Sequence, residues 1–378
     1  MNRRLVVLEL PPGSALADAL RTALGGGPAI LPLDPGLPPH ERNRLLTALR
    51  PDAPIHPDVA VVIATSGSTG ASKGVELTAA ALEASARASL ARLQAQPGDR
   101  WLCCLPTSHI AGIQVLVRAL MLGTDPLIHQ RFDIAAVAEA DATHVSLVPT
   151  MLLRLLDAGV DVARFGCILL GGADAPAGLL DRARAVGARI VTTYGMTETA
   201  GGCVYDGRPL DGVDVRVGED GRIRVRGPVL ARGYRGRPLL DAEAFRDGWF
   251  CTADLGRWAP DGRLEVLGRA DDVIVTGGEN VAAATVAGLL AEHPDVAEAA
   301  VVGRRDREWG QRVVAVVVPA DPCEPPALDA LRRFVAERAT GAHAPRELVL
   351  VDALPLLPSG KLDRAALVGE VRPQLRGA

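Results

Sequence analysis

A run rich in glycine and hydroxyl side chains is the part of this sequence best suited to chemistry. It begins Thr65-Ser66-Gly67-Ser68-Thr69-Gly70 and reaches a lysine at Lys73. Glycine lets backbone N–H groups approach a ligand closely, the hydroxyls donate hydrogen bonds, and the lysine adds positive charge. This combination suits a polyphosphate. The run is not a Walker loop, because Ser72 and Gly74 stand where that loop needs glycine and a hydroxyl.

The surroundings of this run decide between a binding loop and a flexible linker. It lies between an apolar, strand-like run at residues 59–64 and a helical pattern at residues 79–93. A Gly/Ser linker is expected between domains rather than between two such elements. The position therefore favours a phosphate-binding loop.

A second polar segment follows the apolar run at residues 190–192. It contains Tyr194, Gly195, Thr197 and Glu198. A tyrosine ring can cover a flat heterocycle, a threonine hydroxyl can donate to a phosphate, and a glutamate can hold Mg²⁺. A strand end with Tyr194 packed in the core and Glu198 exposed would look the same, so this segment alone leaves both interpretations open.

Isolated charges also occur in polar loops further along the chain. Asp254 could bind both hydroxyls of a ribose, as carboxylates do in dinucleotide sites. Arg269 and Asp271 follow Gly268 in a polar stretch, and Lys361 lies before the last helical segment. Turns, solvated linkers and surface lysines are the ordinary roles of such residues. Each of these positions is ambiguous by itself.

The composition limits the class of protein. The chain has 378 residues, 48% hydrophobic and 23% charged, which indicates a globular protein with more than one domain. A net charge of -4 and only 3% aromatic residues argue against nucleic-acid binding. Six scattered cysteines predict neither a zinc site nor a disulfide framework. No apolar run reaches the ~18 residues of a membrane span, and we expect a soluble, cytoplasmic protein.

The pattern of apolar runs predicts an α/β fold. Short valine, isoleucine and leucine runs alternate with segments of helical period. Hairpin signals around Asp220-Gly221 and Asp261-Gly262 then predict an antiparallel β subdomain. We expect a large N-terminal domain of mixed sheets with flanking helices over residues 1–268. A small, mobile α+β domain is expected over residues 269–378.

The order of the polar segments gives them a common meaning. TSGSTGASKG, YGMTET, TADLG, GRADD with GGENV, and PSGKLDR follow one another along the chain. This ordered set resembles that of the adenylate-forming superfamily, which includes acyl-CoA synthetases, luciferases and peptide-synthetase adenylation domains. The resemblance runs from about residue 59 to the C-terminus. It implies that ATP and Mg²⁺ activate a carboxylic acid as an acyl-adenylate, with CoA as co-substrate.

Two further runs resemble one subgroup of that superfamily. The run from His109 to Arg118, the run from Gly201 to Gly207 and the short chain are similar to the o-succinylbenzoate-CoA ligases of actinobacterial menaquinone biosynthesis. An acyl- or aryl-CoA ligase, or an adenylating enzyme for a different acid, is the alternative. A non-catalytic nucleotide-binding protein is a second alternative. The oligomeric state is left open, a homo-oligomer included.

The resemblance implies a role for each matching residue. Thr197, Glu198 and Lys361 would be catalytic, with Glu198 holding Mg²⁺. Asp271 would be the hinge that lets the small domain serve both half-reactions. The acid or CoA would be bound by His109, Arg118, Gly201, Gly277 and Gly278. The nucleotide would be bound by Thr65, Ser66, Gly67, Ser68, Thr69, Gly70, Lys73, Gly171, Gly172, Ala173, Tyr194, Gly195, Asp254 and Arg269.

Arg118 is predicted to anchor the second carboxylate of o-succinylbenzoate. The succinyl carboxylate is activated, so the aromatic one needs a cation, and guanidinium pairs with carboxylate through two hydrogen bonds. Arg118 lies nine residues after His109 on a predicted helix over residues 110–122. An exposed helix arginine is the alternative. His109 is expected to line the pocket, because a free carboxylate needs no general base at neutral pH.

The sequence departs from the superfamily's pattern at three positions. Ser72 stands where proline is usual, which is expected to change only the stiffness of the loop. Ala283 and Thr285 stand where proline and glutamate are usual. Both lie at the start of a predicted helix in the small domain, and their effect is expected on the packing of that helix.

Overall fold

The computed structural model describes residues 3–65, 72–173, 175, 177–356, 362–363 and 366–367. Contacts within the chain divide it into two units. The first comprises Met1–Arg216, Arg224–Thr252 and Pro260–Arg263. The second comprises Val217–Ile223, Ala253–Ala259 and Leu264–Ala378. The domain boundary at residue 268 and the hinge at Asp271 stay predictions.

The secondary structure alternates strands and helices as the sequence predicts. The strands are β1 Leu5–Leu8, β2 Ala29–Pro32, β3 Val59–Thr65, β4 Lys73–Thr78, β5 Trp101–Cys103, β6 Leu127–Ile128, β7 His144–Leu147, β8 Cys167–Leu170, β9 Ile190–Met196, β10 Gly201–Tyr205, β11 Arg208–Pro209, β12 Asp214–Val217, β13 Arg222–Arg226, β14 Gly233–Tyr234, β15 Phe245–Arg246, β16 Trp249–Trp258, β17 Leu264–Arg269, β18 Val273–Thr276, β19 Glu279–Ala282, β20 Val296–Asp306, β21 Gly310–Pro319 and β22 Glu347–Leu350. The helices are α1 Ser14–Leu24, α2 Pro39–Leu49, α3 Ala79–Leu93, α4 Ile110–Met121, α5 Ile134–Glu139, α6 Pro149–Asp157, α7 Ala177–Ala185, α8 Pro238–Ala244, α9 Ala283–Ala291 and α10 Leu328–Ala336. Mixed sheets with helices, followed by an α+β segment, confirm the predicted fold class.

The two ends of the predicted phosphate loop lie in the first sheet, whose order is β1-β2-β3-β4-β14. β3 and β4 pair antiparallel, and Thr65 lies opposite Lys73. The sequence pattern places the helix over residues 79–93 correctly as α3, but it misses β4 at Lys73–Thr78, which lies between the loop and that helix. Glu76 and Thr78 interrupt the apolar pattern of β4 and conceal it. The hairpin places both ends of the loop side by side.

The second sheet has the order β11-β10-β9-β8-β7-β5-β6, and β5 to β9 run parallel within it. β7 and β8 are buried along their whole length, as expected for parallel strands with helices on both faces. Their core includes Val145, Leu152, Phe165 and Ile168. The carboxyl ends of such strands meet at one edge, where α/β proteins bind ligands.

The third and fourth sheets are mainly antiparallel. The third has the order β12-β13-β16-β15, with β17 beside β16. Gly221 and Gly262 adopt positive φ angles of 71° and 77°, as the predicted turns require. The fourth has the order β19-β18-β21-β20, with β22 beside β21. Helix α9 begins at the buried Ala283 and packs Val286 and Leu290 into this core, so the helix forms without the usual proline.

Two properties of the chain bear on its surroundings. Within the part of the chain that the structure describes, no helix combines the length and apolarity needed to cross a membrane.

The cysteines are free thiols. Burial raises the pKa of the Cys103 and Cys104 thiols to about 12, so both stay protonated and unreactive at neutral pH.

Arg235 fastens the end of α2 to the β3–β4 hairpin. It follows β14, which pairs antiparallel with β4. Its buried guanidinium donates to four carbonyls at 2.6, 2.8, 2.7 and 3.4 Å, those of Leu49, Arg50, Ala53 and Pro54. It also donates to the buried carboxylate of Glu76 at 3.1 Å. The last carbonyls of a helix need such partners, and a cation there is favourable.

Replacing Arg235 by methionine is expected to lower the free energy of unfolding by about 3–5 kcal/mol, because Glu76 loses its buried partner. Arg232 supplies a matched control. It pairs with the same carboxylate at 3.5 Å, but its side chain is 45% exposed. Arg232→Met is expected to cost at most about 1 kcal/mol. Urea unfolding measures both variants, and equal losses would contradict this account.

Candidate active site

Lys73, Glu198 and Tyr234 form a closed triangle of polar contacts. Lys73 Nζ lies 3.1 Å from Glu198 Oε1 and 3.1 Å from the Tyr234 hydroxyl. That hydroxyl donates to the same Oε1 at 2.8 Å. Glu198 and Tyr234 are 8% and 5% exposed, so the carboxylate is shielded from water. The alternative interpretation of this segment, a strand end with Glu198 exposed, is therefore wrong for Glu198.

A 3-10 turn, Thr197–Thr199, presents Glu198 directly after β9. The Thr199 hydroxyl accepts from the Met196 N–H at 3.0 Å and donates to the Gly201 carbonyl at 2.7 Å. A Cβ at Gly195 would lie 2.1 Å from that same carbonyl oxygen. Glycine at position 195 is thus required by the close approach of β9 and β10. The turn is held firmly, and Glu198 with it.

Gln114 of α4 holds the other end of this turn. It is buried, and its amide nitrogen donates to the carbonyls of Ala200 and Leu82 at 2.7 and 3.1 Å. Gly201 has a φ of 106° and packs against Gln114, whose Cγ would lie 3.1 Å from a Cβ at position 201. Gly201 therefore has a structural reason to be glycine. Its predicted place in the acid pocket stays a prediction.

The residues that follow β8 lie at the carboxyl edge of the second sheet. A Cβ at Gly171 would lie 2.3 Å from the Thr193 hydroxyl, so a larger residue would have to displace that side chain of β9. Gly172 and Ala173 are exposed, and Tyr194 is half-buried on the neighbouring strand. An open backbone edge next to an aromatic ring is suited to a flat heterocycle.

Asp254 and Arg269 face each other across β16 and β17. Arg269 Nη1 lies 3.6 Å from Asp254 Oδ1, and the same guanidinium makes hydrogen bonds of 2.8 and 2.9 Å to Asp271. The bond to Asp271 raises the pKa of Arg269, which keeps the charge in place. One guanidinium thus joins the predicted ribose pair to the predicted hinge residue.

Arg118 is 4% exposed, so the alternative of an exposed helix arginine is wrong. Its guanidinium stacks 4.2 Å from the centre of the Trp101 ring and donates to the Ser146 hydroxyl at 3.0 Å. Burial lowers its pKa. Among the described residues, no carboxylate pairs with it and its Nε has no partner. Such a cation suits an anionic ligand, because buried charges are normally paired.

His109 lies at the exposed N-cap position of α4. Nine residues of helix separate it from Arg118, which corresponds to about 13 Å. One helix therefore carries both predicted acid-binding residues, His109 near the carboxyl edge of the sheet and Arg118 deep in the core. Their roles stay predictions.

Gly277 and Gly278 form the two-residue turn between β18 and β19. Their φ angles are 59° and 84°, as this type of hairpin turn requires at both central positions. A Cβ at Gly277 would also lie 2.9 Å from the Trp309 ring. The turn therefore explains why both positions are glycine. Their role beside the arm of CoA stays a prediction.

The carboxylate of Glu198 fits Mg²⁺ that arrives with phosphate. Among the described residues, no three histidine, cysteine, aspartate or glutamate side chains form a metal-ligand cluster. Mg²⁺ is usually held by one or two carboxylates together with the phosphates of a substrate. Glu198 would supply the carboxylate, and the ammonium of Lys73, 3.1 Å from it, would supply the positive charge for a phosphate.

Some predicted residues cannot be compared with the structure. Ser66, Gly67, Ser68, Thr69, Gly70 and Lys361 lie outside the described residues. Conversely, sequence interpretation misses Tyr234 and Gln114. Tyr234 is 161 positions from Lys73, and no local pattern marks such a contact. An unexplained polar residue within the apolar α4 is the signal that could have found Gln114.

The fold and the site together define a class of protein. A lysine at the end of a glycine- and hydroxyl-rich segment pairs with a carboxylate that follows a parallel strand. Residues 19–235 match the family model described as AMP-binding enzyme, and residues 285–361 match that of the AMP-binding enzyme C-terminal domain. The chain belongs to the AMP-binding enzyme family.

Two relatives are similar in sequence to this chain over most of its length. A probable 2-succinylbenzoate-CoA ligase of Mycobacterium tuberculosis is 45% identical over 379 residues, covering 96% of this chain and 97% of the relative. The 2-succinylbenzoate-CoA ligase of Bacillus licheniformis is 37% identical over 337 residues, covering 82% of this chain and 70% of the relative.

Solved structures resemble this chain over nearly its full length. The o-succinylbenzoate CoA synthetase of Bacillus subtilis, in complex with an acyl-adenylate intermediate, aligns with a TM-score of 0.84 and 29% identity, covering 100% of this chain and 89% of that one. ATP-bound MatB from Rhodopseudomonas palustris aligns with a TM-score of 0.88 and 25% identity, covering 97% and 88%.

Proposed function

We propose that this protein is an o-succinylbenzoate-CoA ligase that serves menaquinone biosynthesis. The 45% identity to the Mycobacterium tuberculosis relative, across almost the whole of both chains, is the observation that supports this acid most strongly. The Lys73–Glu198 pair supports the use of ATP. A ligase for another acyl or aryl acid is the alternative, because the contacts of the nucleotide site do not depend on the acid.

The proposed reaction has two half-reactions. First, a carboxylate oxygen of the acid attacks the α-phosphorus of ATP, the bond from that phosphorus to the bridging oxygen breaks, and pyrophosphate leaves. Then the sulfur of CoA attacks the acyl carbon, the thiol loses its proton, and AMP leaves. Both steps concentrate negative charge, which fixed donors stabilise better than water does.

The first unit supplies the contacts of the triphosphate in this proposal. Thr65 to Gly70 and Lys73 hold the β- and γ-phosphates, Thr197 donates to the α-phosphate, and Glu198 holds Mg²⁺. When bound, Mg²⁺ neutralises phosphate charge and favours departure of pyrophosphate. The 3.1 Å distance between Lys73 Nζ and Glu198 Oε1 supports this assignment, because a phosphate and its Mg²⁺ must be bound next to each other.

The base and sugar of the nucleotide take the remaining contacts. Gly171, Gly172 and Ala173 line the adenine pocket, with Tyr194 across the ring. Asp254 binds the ribose hydroxyls, with Arg269 beside it. The exposed backbone after β8 and the 3.6 Å distance between Arg269 and Asp254 support these roles.

Lys361 is assigned to the attacking carboxylate and the α-phosphate. The chain contains only two lysines, Lys73 and Lys361, against 39 arginines. Arginine thus serves wherever a positive charge is sufficient, and the compact ammonium group occurs only at the two positions assigned to the reaction. A hinge at Asp271 would let the small domain supply Lys361 in one step and Gly277 and Gly278 for CoA in the next.

The free thiols of the cysteines fit a protein of the reducing cytoplasm.

Arg118→Leu is expected to raise the KM for o-succinylbenzoate on the order of 10²-fold, because a buried carboxylate would lose its charged partner. The KM for ATP should change little. Arg189→Leu removes an exposed arginine that donates to the Leu93 carbonyl and is the matched control. Thermal unfolding separates a folding defect from a binding defect. An unchanged KM for the acid would refute the anchor.

A panel of acids tests the proposed function against its alternatives. Pyrophosphate release is measured with o-succinylbenzoate, benzoate, succinate and fatty acids, each with and without CoA. We expect release with o-succinylbenzoate and sustained turnover only when CoA is present. Preference for another acid would favour the alternative ligase, and no AMP with any acid would indicate a non-catalytic nucleotide-binding protein.

A further inference from the structure

Tyr234 belongs to none of the segments that the sequence marks for chemistry, yet it contacts both charged groups of the nucleotide site. Its hydroxyl donates to Glu198 Oε1 at 2.8 Å and accepts from Lys73 Nζ at 3.1 Å. The ammonium also lies 4.2 Å from the centre of the tyrosine ring, at cation–π distance.

The position of Tyr234 is fixed independently of these two partners. On β14 it pairs with Val75 of β4, the strand that begins at Lys73. Its backbone N–H donates to Asp241 Oδ1 at 2.6 Å, and its ring packs 5.9 Å from the Phe245 ring. Backbone pairing, a hydrogen bond and ring packing therefore hold Tyr234. Its hydroxyl can keep its position while the side chains of Lys73 and Glu198 change partners.

The contacts of Glu198 are asymmetric. Within the described part of the chain, both Lys73 and Tyr234 contact Oε1, and no side chain bonds to Oε2. Under the proposed function, Lys73 must turn to phosphate and Glu198 to Mg²⁺, so their mutual ion pair must open. The tyrosine hydroxyl is neutral and competes for neither new partner. Its bond to Oε1 can persist and leave Oε2 available.

We propose that Tyr234 is a positioning residue that fixes Glu198 through Oε1 when the Lys73–Glu198 ion pair opens for the metal–nucleotide complex. This inference rests on the proposed nucleotide chemistry but not on the identity of the acid. Tyr234 does not contact the reacting atoms in this account. Its effect should therefore appear in how strongly Mg²⁺ enhances ATP binding, before any reaction occurs.

Calorimetric titration with ATP alone tests the proposal, because no turnover occurs without an acid. ATP affinity is measured with Mg²⁺ and with EDTA for the wild type, Tyr234→Phe and Tyr205→Phe. Tyr205→Phe is the matched control, since it also removes a buried hydroxyl, one bonded to Ser89 at 2.7 Å. Loss of a hydrogen bond to a charged group should shrink the enhancement by Mg²⁺ about 10-fold or more in Tyr234→Phe. The EDTA affinity should change far less.

Each outcome of the titration decides the question. A reduced enhancement in Tyr234→Phe, with Tyr205→Phe unchanged, supports the positioning role. Equal loss of affinity with Mg²⁺ and with EDTA, accompanied by a lower melting temperature, would show that Tyr234 acts only on the fold and would overturn it. An enhancement equal to that of the wild type would also overturn it. Failure of wild-type protein to bind ATP at all would instead refute the proposed function.

Discussion

Lys361→Ala is expected to reduce formation of the acyl-adenylate by ~10²–10³-fold, by analogy with removal of one preorganised charge donor. Two anions, the carboxylate and the α-phosphate, must approach each other in this step, and the ammonium group offsets their repulsion. The second half-reaction makes no such demand on Lys361. Thioester formation from a supplied acyl-adenylate should stay close to the wild-type rate.

Single-turnover measurement of the two half-reactions checks this expectation. Pyrophosphate release follows the first, and AMP release from added acyl-adenylate with CoA follows the second. Arg364→Ala removes a cation three positions away in the same terminal segment and should leave both rates near the wild type. Equal slowing of both half-reactions in Lys361→Ala would refute the assigned role.

Glu198→Gln is expected to lower kcat/KM for ATP by ~10²–10³-fold, because the site loses the carboxylate assigned to Mg²⁺. Glutamine keeps the size of the side chain and can still accept from Tyr234 and Lys73, so the fold should be little disturbed. A higher Mg²⁺ concentration should recover part of the lost rate. The measurement is initial velocity across a series of Mg²⁺ concentrations.

Glu76→Gln is the control for the loss of a buried carboxylate. Glu76 lies on the same strand as Lys73, but it pairs with Arg235 at 3.1 Å. This variant should lose stability while its turnover at low temperature and its Mg²⁺ dependence stay near the wild type. A Mg²⁺ dependence of Glu198→Gln that matches that of the wild type would contradict the metal assignment.

The sequence predicts elements well where apolar residues dominate a short run. β3 at Val59–Thr65 lies where the apolar run at residues 59–64 predicts a strand, and α3 at Ala79–Leu93 has the bounds of the predicted helix. It fails where polar residues break the pattern. β4 carries Lys73 and Glu76 on a mostly buried strand, and both polar side chains find partners that are distant in sequence. Such compensation depends on tertiary contacts, which local periodicity does not reveal.

The same distinction applies to the site. Lys73 and Glu198 are predictable because glycine, hydroxyl and acidic residues occur in a fixed order along the chain. Their 3.1 Å pair, and the tyrosine that completes it, are not predictable because they join β4 and β14 of one sheet to the turn that follows β9 of another. Arg118 shows the converse: its helix is predictable, but the stacking on Trp101 that buries it is not.

Direct detection of the product tests the central claim. The protein is incubated with o-succinylbenzoate, ATP, Mg²⁺ and CoA, and the mixture is analysed by mass spectrometry for the CoA thioester and for AMP. We predict the thioester of o-succinylbenzoate and one AMP per thioester, with neither formed when ATP is omitted. AMP production without that thioester, or thioester formation that needs no ATP, would contradict it.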